Sequence, residues 1–435
     1  MSTTTQIFYA STLYGAATLA AALDSGCFRP ADRRLLLVST NAAVPETATP
    51  LDRMPGFERL RGRFDGVLDW NATIEPLHPG GWTPRPDDLP MLQRHLRLLW
   101  GLGTDRVELT VESLQVAPAL TIAQLFPDAP VDVYADGLMS YGPTRNKIDP
   151  LVGERVRRLL HLDLVPGLDP LLLAEFGAVA ETVPTEAFTK VVEELAGPAA
   201  GQEGPALLLG QYLSALALLT PAEEGELHLR MVRGAVARGH RRLVFKPHPT
   251  APDAWSRALV REAEALGAEL TVLDRPVLAE VLYRELRPAL VVGCFSTALL
   301  TASAFYGIGT ARVGTRSLLA GLTPYQNSNR IPLALVDALV PALEDGEATA
   351  PLRTEELAGL VAAIGFAMQP KVRPDLRETA VRHLSGPLAA RTRHHFTRRR
   401  LTSLGLPGGL PVPRHPKIRR LARRALKLKR RALGS

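Results

Sequence analysis

Short apolar runs recur along the chain, each ending in a polar turn. Between them lie stretches in which apolar residues recur at helical spacing. The runs 6–10, 34–39, 66–69, 106–110 and 131–134 read as buried strands, and 13–23, 89–102 and 117–126 as helices. Residues 196–205, rich in Gly, Pro and Ala, have linker composition. A second alternating series follows, with strands at 206–209, 243–246, 269–273 and 289–292 and helices at 221–239, 254–266, 278–286 and 297–306. Strand–helix alternation predicts parallel sheets covered by helices, and its repetition on both sides of a linker predicts two α/β domains facing a cleft.

Composition bounds the alternatives. Of 435 residues, 46% are hydrophobic, enough for large cores and too many for a disordered chain. The window 288–311 is uncharged, but its hydroxyl residues, glycines and proline make it a strand, a turn and a helix and not a membrane span. The uncharged stretch 7–23 is preceded by Met-Ser-Thr-Thr-Thr-Gln without a basic residue, so no signal peptide is expected. Cys27 and Cys294 lie too far apart in sequence for a CxxC metal motif, and a reducing compartment is expected.

The net charge of +7 is an average of unlike parts. Residues 379–435 carry 16 of the 51 Lys and Arg and none of the 44 Asp and Glu, which leaves the first 378 residues with 35 bases against 44 acids, a net of −9. A uniformly basic nucleic-acid binder is thereby set aside. Three parts are expected: an α/β domain over 1–200, a second α/β domain over 205–378, and a basic helical tail over 379–435. Within the tail segment 414–433, residues 417–433 place Ile418, Leu421, Ala422, Ala425 and Ala432 at helical spacing among nine basic residues. Such a helix fits an anionic membrane surface, with a solvated charged terminus, or contact with an anionic glycan or nucleic acid, as the alternatives.

Four turns could carry chemistry. The first strand runs into Ser11-Thr12-Leu13-Tyr14-Gly15, which is not the G-x-G-x-x-G of a dinucleotide site. The strand 131–134 runs into Ala135-Asp136-Gly137. Asp136 thus stands at a strand's carboxyl end, where a carboxylate can take a proton from an acceptor hydroxyl, though Asp-Gly turns are common without function. Lys246-Pro247-His248-Pro249 follows another strand, and the flanking prolines restrict how His248 is presented. Gly293-Cys294-Phe295-Ser296-Thr297 joins a strand to a helix. Its hydroxyls and free N–H groups can receive an anion, or can serve only as a cap. Glu280, near a helix start, can bind ribose hydroxyls or merely favour the helix terminus.

The order and spacing of these motifs resemble the bacterial capsular polysialyltransferases, and next to them the lipooligosaccharide sialyltransferases. The turn Tyr9-Ala10-Ser11-Thr12-Leu13-Tyr14 is similar to their first loop, and the likeness runs over about residues 5–310. The resemblance implies a GT-B fold of two Rossmann-like domains. It also implies an inverting, metal-independent transfer of sialic acid or a related nonulosonic acid from a CMP-activated donor, as co-substrate, to a glycan acceptor. No resident cofactor is implied. Carried onto this chain, Asp136 would be the general base and His248 the general acid. Ser296 and Thr297 would bind the donor phosphate, Lys246, Pro249, Ser11 and Thr12 would line the site, and Glu280 would reach the ribose. One position departs: the first acidic residue of the family's acidic–acidic–Gly motif is Ala135 here. Enzymes using CDP-glycerol or CMP-Kdo have similar motifs, and a non-catalytic envelope-binding protein is the third reading. A cytoplasmic protein, peripheral on the inner face of the membrane, is expected, with nucleic acid not among its partners.

Overall fold

A computed structural model describes residues 3–135, 137–199, 204–248, 251, 253–273, 275–344 and 351–410. Asp136, Pro249 and the whole of 414–433 therefore lie outside the described residues.

Two parallel sheets organise the chain. The first contains β1 (Thr4–Ala10), β2 (Arg33–Val38), β3 (Gly66–Asp69), β4 (Arg106–Glu112), β5 (Val131–Tyr134), β6 (Val156–Leu162) and β7 (Val179–Val183), in the order β3-β2-β1-β4-β5-β6-β7. The second contains β8 (Gly204–Leu209), β9 (Arg242–Lys246), β10 (Glu269–Val272), β11 (Pro288–Gly293) and β12 (Thr310–Arg312), in the order β10-β9-β8-β11-β12. In each sheet the strand order reverses direction once, between β1 and β4 and between β8 and β11. Open α/β sheets bind ligands at that crevice, beyond the strands' carboxyl ends.

The helices begin where the sequence provides caps. Thr12 accepts the Gly15 N–H at 2.9 Å to start Leu13–Asp24. Thr220 and Glu223 form a capping box ahead of Pro221–Ala237. Ser296 caps Thr297–Tyr306, which ends on left-handed Gly307. Within the described residues every expected strand and helix is present, while the helix expected over 414–433 lies outside them. Three strands were not anticipated. β6 carries Arg157 and Arg158, which break the apolar run yet neutralise Asp132 of β5, a residue only 1% exposed. β7 is a mostly exposed edge strand, and β12 spans three residues.

The two sheets share one body. A continuous apolar core runs from one face of the first sheet into the second domain, while the other face has its own core around Trp70, Trp100 and Phe126. Arg284 bridges to Glu193 at 2.7 Å, and the Gly197 N–H donates to Glu285 at 2.9 Å. The chain then crosses back. Helix Thr354–Met368 lies against the first domain, with Thr354 donating to the Pro166 carbonyl and Gln369 to that of Arg145. The basic stretch from residue 379 divides. Helices Arg377–Ser385 and Arg398–Leu404 pack onto the body, burying Leu401, and Arg400 donates to the Ala367 carbonyl at 2.6 Å.

Candidate active site

Three of the four turns named above leave the carboxyl ends of β1, β9 and β11, and Gly137 follows that of β5 by three residues. The two domains also meet at Gly137. The Leu138 N–H points to Thr297 Oγ1 at 3.4 Å, and a Cβ on Gly137 would lie 2.6 Å from the same oxygen. Gly137 is extended (φ 169°, ψ −164°), so it is the neighbour's proximity and not a left-handed backbone that requires glycine. Gly137 and Leu138 are thereby set against the start of helix Thr297–Tyr306. Ser296 and Thr297 are both half-buried there, and Ala135 is 4% exposed.

At the crevice of the first sheet, Ser11 donates its N–H (3.1 Å) and its hydroxyl (2.8 Å) to the Glu112 carboxylate across β1 and β4. The Tyr134 hydroxyl donates to the Tyr9 carbonyl at 3.0 Å and stands 3.3 Å from Glu112. Ser11 and Thr12 thus have local duties, one holding Glu112 and the other capping a helix.

At the crevice of the second sheet, Gln211 accepts the Phe295 N–H at 2.9 Å across β8 and β11. Tyr212 brings its ring to 6.0 Å from His248 and 5.9 Å from Trp255. The loop that carries them is fastened by Glu224, fully buried, which accepts the Leu213 N–H (2.6 Å), the Ser214 N–H (2.8 Å) and the Ser214 hydroxyl (2.6 Å). Burial pushes the His248 imidazole below its ordinary pKa, and the charge of Lys246 adds to this; Glu224 opposes both. Burial likewise lowers the Lys246 amine, opposed by Glu280.

Glu280 is 2% exposed, and its carboxylate accepts the Thr301 hydroxyl at 2.6 Å. Burial raises its pKa, against the Thr301 bond and Lys246. Its direct partners are therefore Thr301, one turn along the Ser296-capped helix, and the charge of Lys246.

Sequence reasoning did not single out Glu112, Gln211, Tyr212 or Glu224. Glu112 ends a strand, which is a usable signal. Glu224 sits in the first turn of a helix and is indistinguishable there from an ordinary dipole-favoured acid.

Among the described residues, one cluster has the composition of a metal site: Asp337, His394 and His395. Asp337 already faces Arg312 at 2.9 Å and accepts from His394 at 2.6 Å. Burial disfavours its charge, but the His394 bond and Arg312 prevail and hold its pKa below the usual range. Through the His394 bond the set ties helix Arg330–Leu339 to the C-terminal segment.

The sequence model of a family described as Alpha-2,8-polysialyltransferase (POLYST) matches residues 6–315. No curated protein matches the chain significantly. Among solved structures, a Thermobaculum terrenum O-GlcNAc transferase mutant is 15% identical with a TM-score of 0.37, covering 90% of this chain and 66% of its own. Phytolacca americana UGT2 is 13% identical with a TM-score of 0.43, covering 90% and 100%. Acinetobacter baumannii MurG is 12% identical with a TM-score of 0.39, covering 90% and 97%. The two parallel α/β sheets are those of a GT-B fold.

Proposed function

From the premise that the chain belongs to the alpha-2,8-polysialyltransferase family, and is a glycosyltransferase, we propose that it moves sialic acid or a related nonulosonic acid from its CMP ester to a glycan hydroxyl, with inversion and without a metal. The observation that carries this reading is the contact of the Gly137 turn with Thr297, which sets a proton acceptor's loop against a helix start suited to a phosphate.

In the proposed reaction the acceptor oxygen forms its bond to the anomeric carbon as the bond from that carbon to the CMP phosphate oxygen breaks. The acceptor's proton passes to Asp136, and the electron pair of the broken bond leaves on the phosphate. Ser296, Thr297 and the free N–H groups of their helix receive that charge, Lys246 adds a nearby cation, and His248 supplies a proton. The body's net −9 is no obstacle, because the charges nearest the phosphate are local. Pro249 stiffens the His248 turn, Ser11 keeps the acceptor crevice closed through Glu112, and Glu280 supports Lys246 and Thr301. Contact between Glu280 and the ribose requires its carboxylate to turn from Thr301.

We place the enzyme at the inner face of an anionic membrane, held by residues 414–433. No helix of the described residues is long and apolar enough to cross a membrane.

The test is incubation of the full chain with CMP-sialic acid and candidate glycans, reading released CMP. Thermal shift with CMP, CDP and UDP runs in parallel, since a ligand at a hundredfold its Kd stabilises by about 2.7 kcal/mol. CMP-selective stabilisation and turnover are expected. Stabilisation by CDP alone would transfer the reading to a CDP-linked donor, and no nucleotide effect would end it.

A further inference from the structure

Helix Leu89–Leu99 carries an apolar arc wider than the core it packs on. Leu96 and the following Trp100 face inward, where Trp100 stacks on Phe126 at 6.0 Å and Trp70 lies 6.4 Å away. At 100° per residue, Met91, His95, Leu98 and Leu99 fall together on the other side of the helix. They are exposed there, Met91 at 64%, Leu98 at 77% and Leu99 at 55%. Three of the twelve large apolar side chains exposed among the described residues thus stand on one short ridge.

The ridge has a charge character of its own. Exposed Arg94 borders it, His95 sits within it, and the helix has no acidic residue. Arg97 lies beyond Arg94 on the same flank, donating to the carbonyls of Gly103 and Asp105. The nearest acids in sequence, Asp87 and Asp88, belong to the preceding turn, and Asp88 is paired with Arg85 at 2.8 Å. Apolar side chains bordered by cations fit an anionic lipid interface, where leucines enter the acyl boundary and guanidinium groups meet phosphate. A second copy fits less well, because pairing this ridge with itself would bring two arginine-bordered surfaces together with no acid on either helix to neutralise them.

We propose that the ridge Met91–Leu99 is a membrane-docking surface for anionic phospholipid. It acts in addition to the basic terminus and independently of which donor the site takes. The first domain would then rest on the bilayer through folded structure, with its orientation set by the helix.

The experiment uses the full chain with Cys27→Ser and an environment-sensitive fluorophore on Leu98→Cys. A second version carries the label on Leu216→Cys, exposed in the other domain. Vesicles are phosphatidylcholine with a third phosphatidylglycerol, or phosphatidylcholine alone. The expected result is a blue shift at position 98 with anionic vesicles only, and none at position 216. Arg94→Gln with Leu98→Gln should weaken vesicle binding by about tenfold or more, given about fivefold for one lost surface cation. CMP release with a soluble glycan should be unchanged, which separates this proposal from the catalytic one. Vesicle binding without a shift at position 98, no vesicle binding, or a concentration-dependent shift without vesicles would each overturn it, the last by pointing to self-association.

Discussion

Gly137→Ala tests whether the seam between the domains sets the rate. The added methyl would lie 2.6 Å from Thr297 Oγ1, while its distances to Thr297 Cβ and Cγ2, at 3.7 and 3.8 Å, are ordinary. Ordinary contact begins near 3.4 Å, so about 0.8 Å must be found at one atom. Extended φ allows alanine without backbone strain. Thr297 resists turning away, because a β-branched side chain is stiff at χ1 and its hydroxyl faces the Leu138 N–H. The displacement therefore passes into the seam. Overpacking of this kind costs roughly 1–3 kcal/mol in stability. A shift near 1 Å in a reacting geometry can cost about a hundredfold in rate. The assay is CMP release, with kcat and KM measured separately, alongside thermal unfolding. Thr297→Ser keeps the hydroxyl but rotates freely, so it should restore most of the rate to Gly137→Ala while altering the parent little. Wild-type turnover in Gly137→Ala, or no coupling between the two substitutions, would refute the reasoning.

The other predictions follow from single groups. His248→Ala should lower kcat by about 10²–10⁴ with the melting temperature unchanged, and Asp136→Ala should do the same. Because burial and Lys246 depress the His248 pKa, the rate should still be rising as pH falls through about 6.5; a rate already flat there would contradict general-acid use of this imidazole. His228 is 2% exposed and its pKa is pushed down to about 4 by burial, against Glu224. Between that value and the unfolded value of about 6.5 the unfolded chain binds the extra proton, so stability should fall by up to roughly 3 kcal/mol as pH drops through this window. Denaturant melts of His228→Gln should show a flatter acid slope. Asp337→Asn leaves Arg312 buried without its anion and should cost about 3–5 kcal/mol in urea unfolding, with little change in KM for the donor.

Much of the fold was legible because its signals are local. Apolar runs closed by polar turns marked nine strands, and Thr12, Thr220 and Ser296 stood at helix starts as capping residues should. β6 escaped because Arg157 and Arg158 read as surface residues until Asp132 is beside them. The site was legible in kind but not in arrangement. Ser296 and Thr297 could be named from a strand–turn–helix pattern. Glu112 and Glu224 could not, because their partners Ser11, Leu213 and Ser214 are brought to them by folding.

The amino-acid order alone determined two parallel α/β units, their caps, the turns at the strand ends and the division of charge between body and terminus. Each of these depends on residues within a few positions of one another, where spacing and side-chain type suffice. Only the tertiary structure decided that Gly137 meets Thr297, 160 positions away, and that helix Thr354–Met368 returns to the first domain. It also decided that Met91, Leu98 and Leu99 are left facing outward. Those outcomes depend on how two sheets pack and which surfaces remain after the cores are filled, and local spacing carries no record of either.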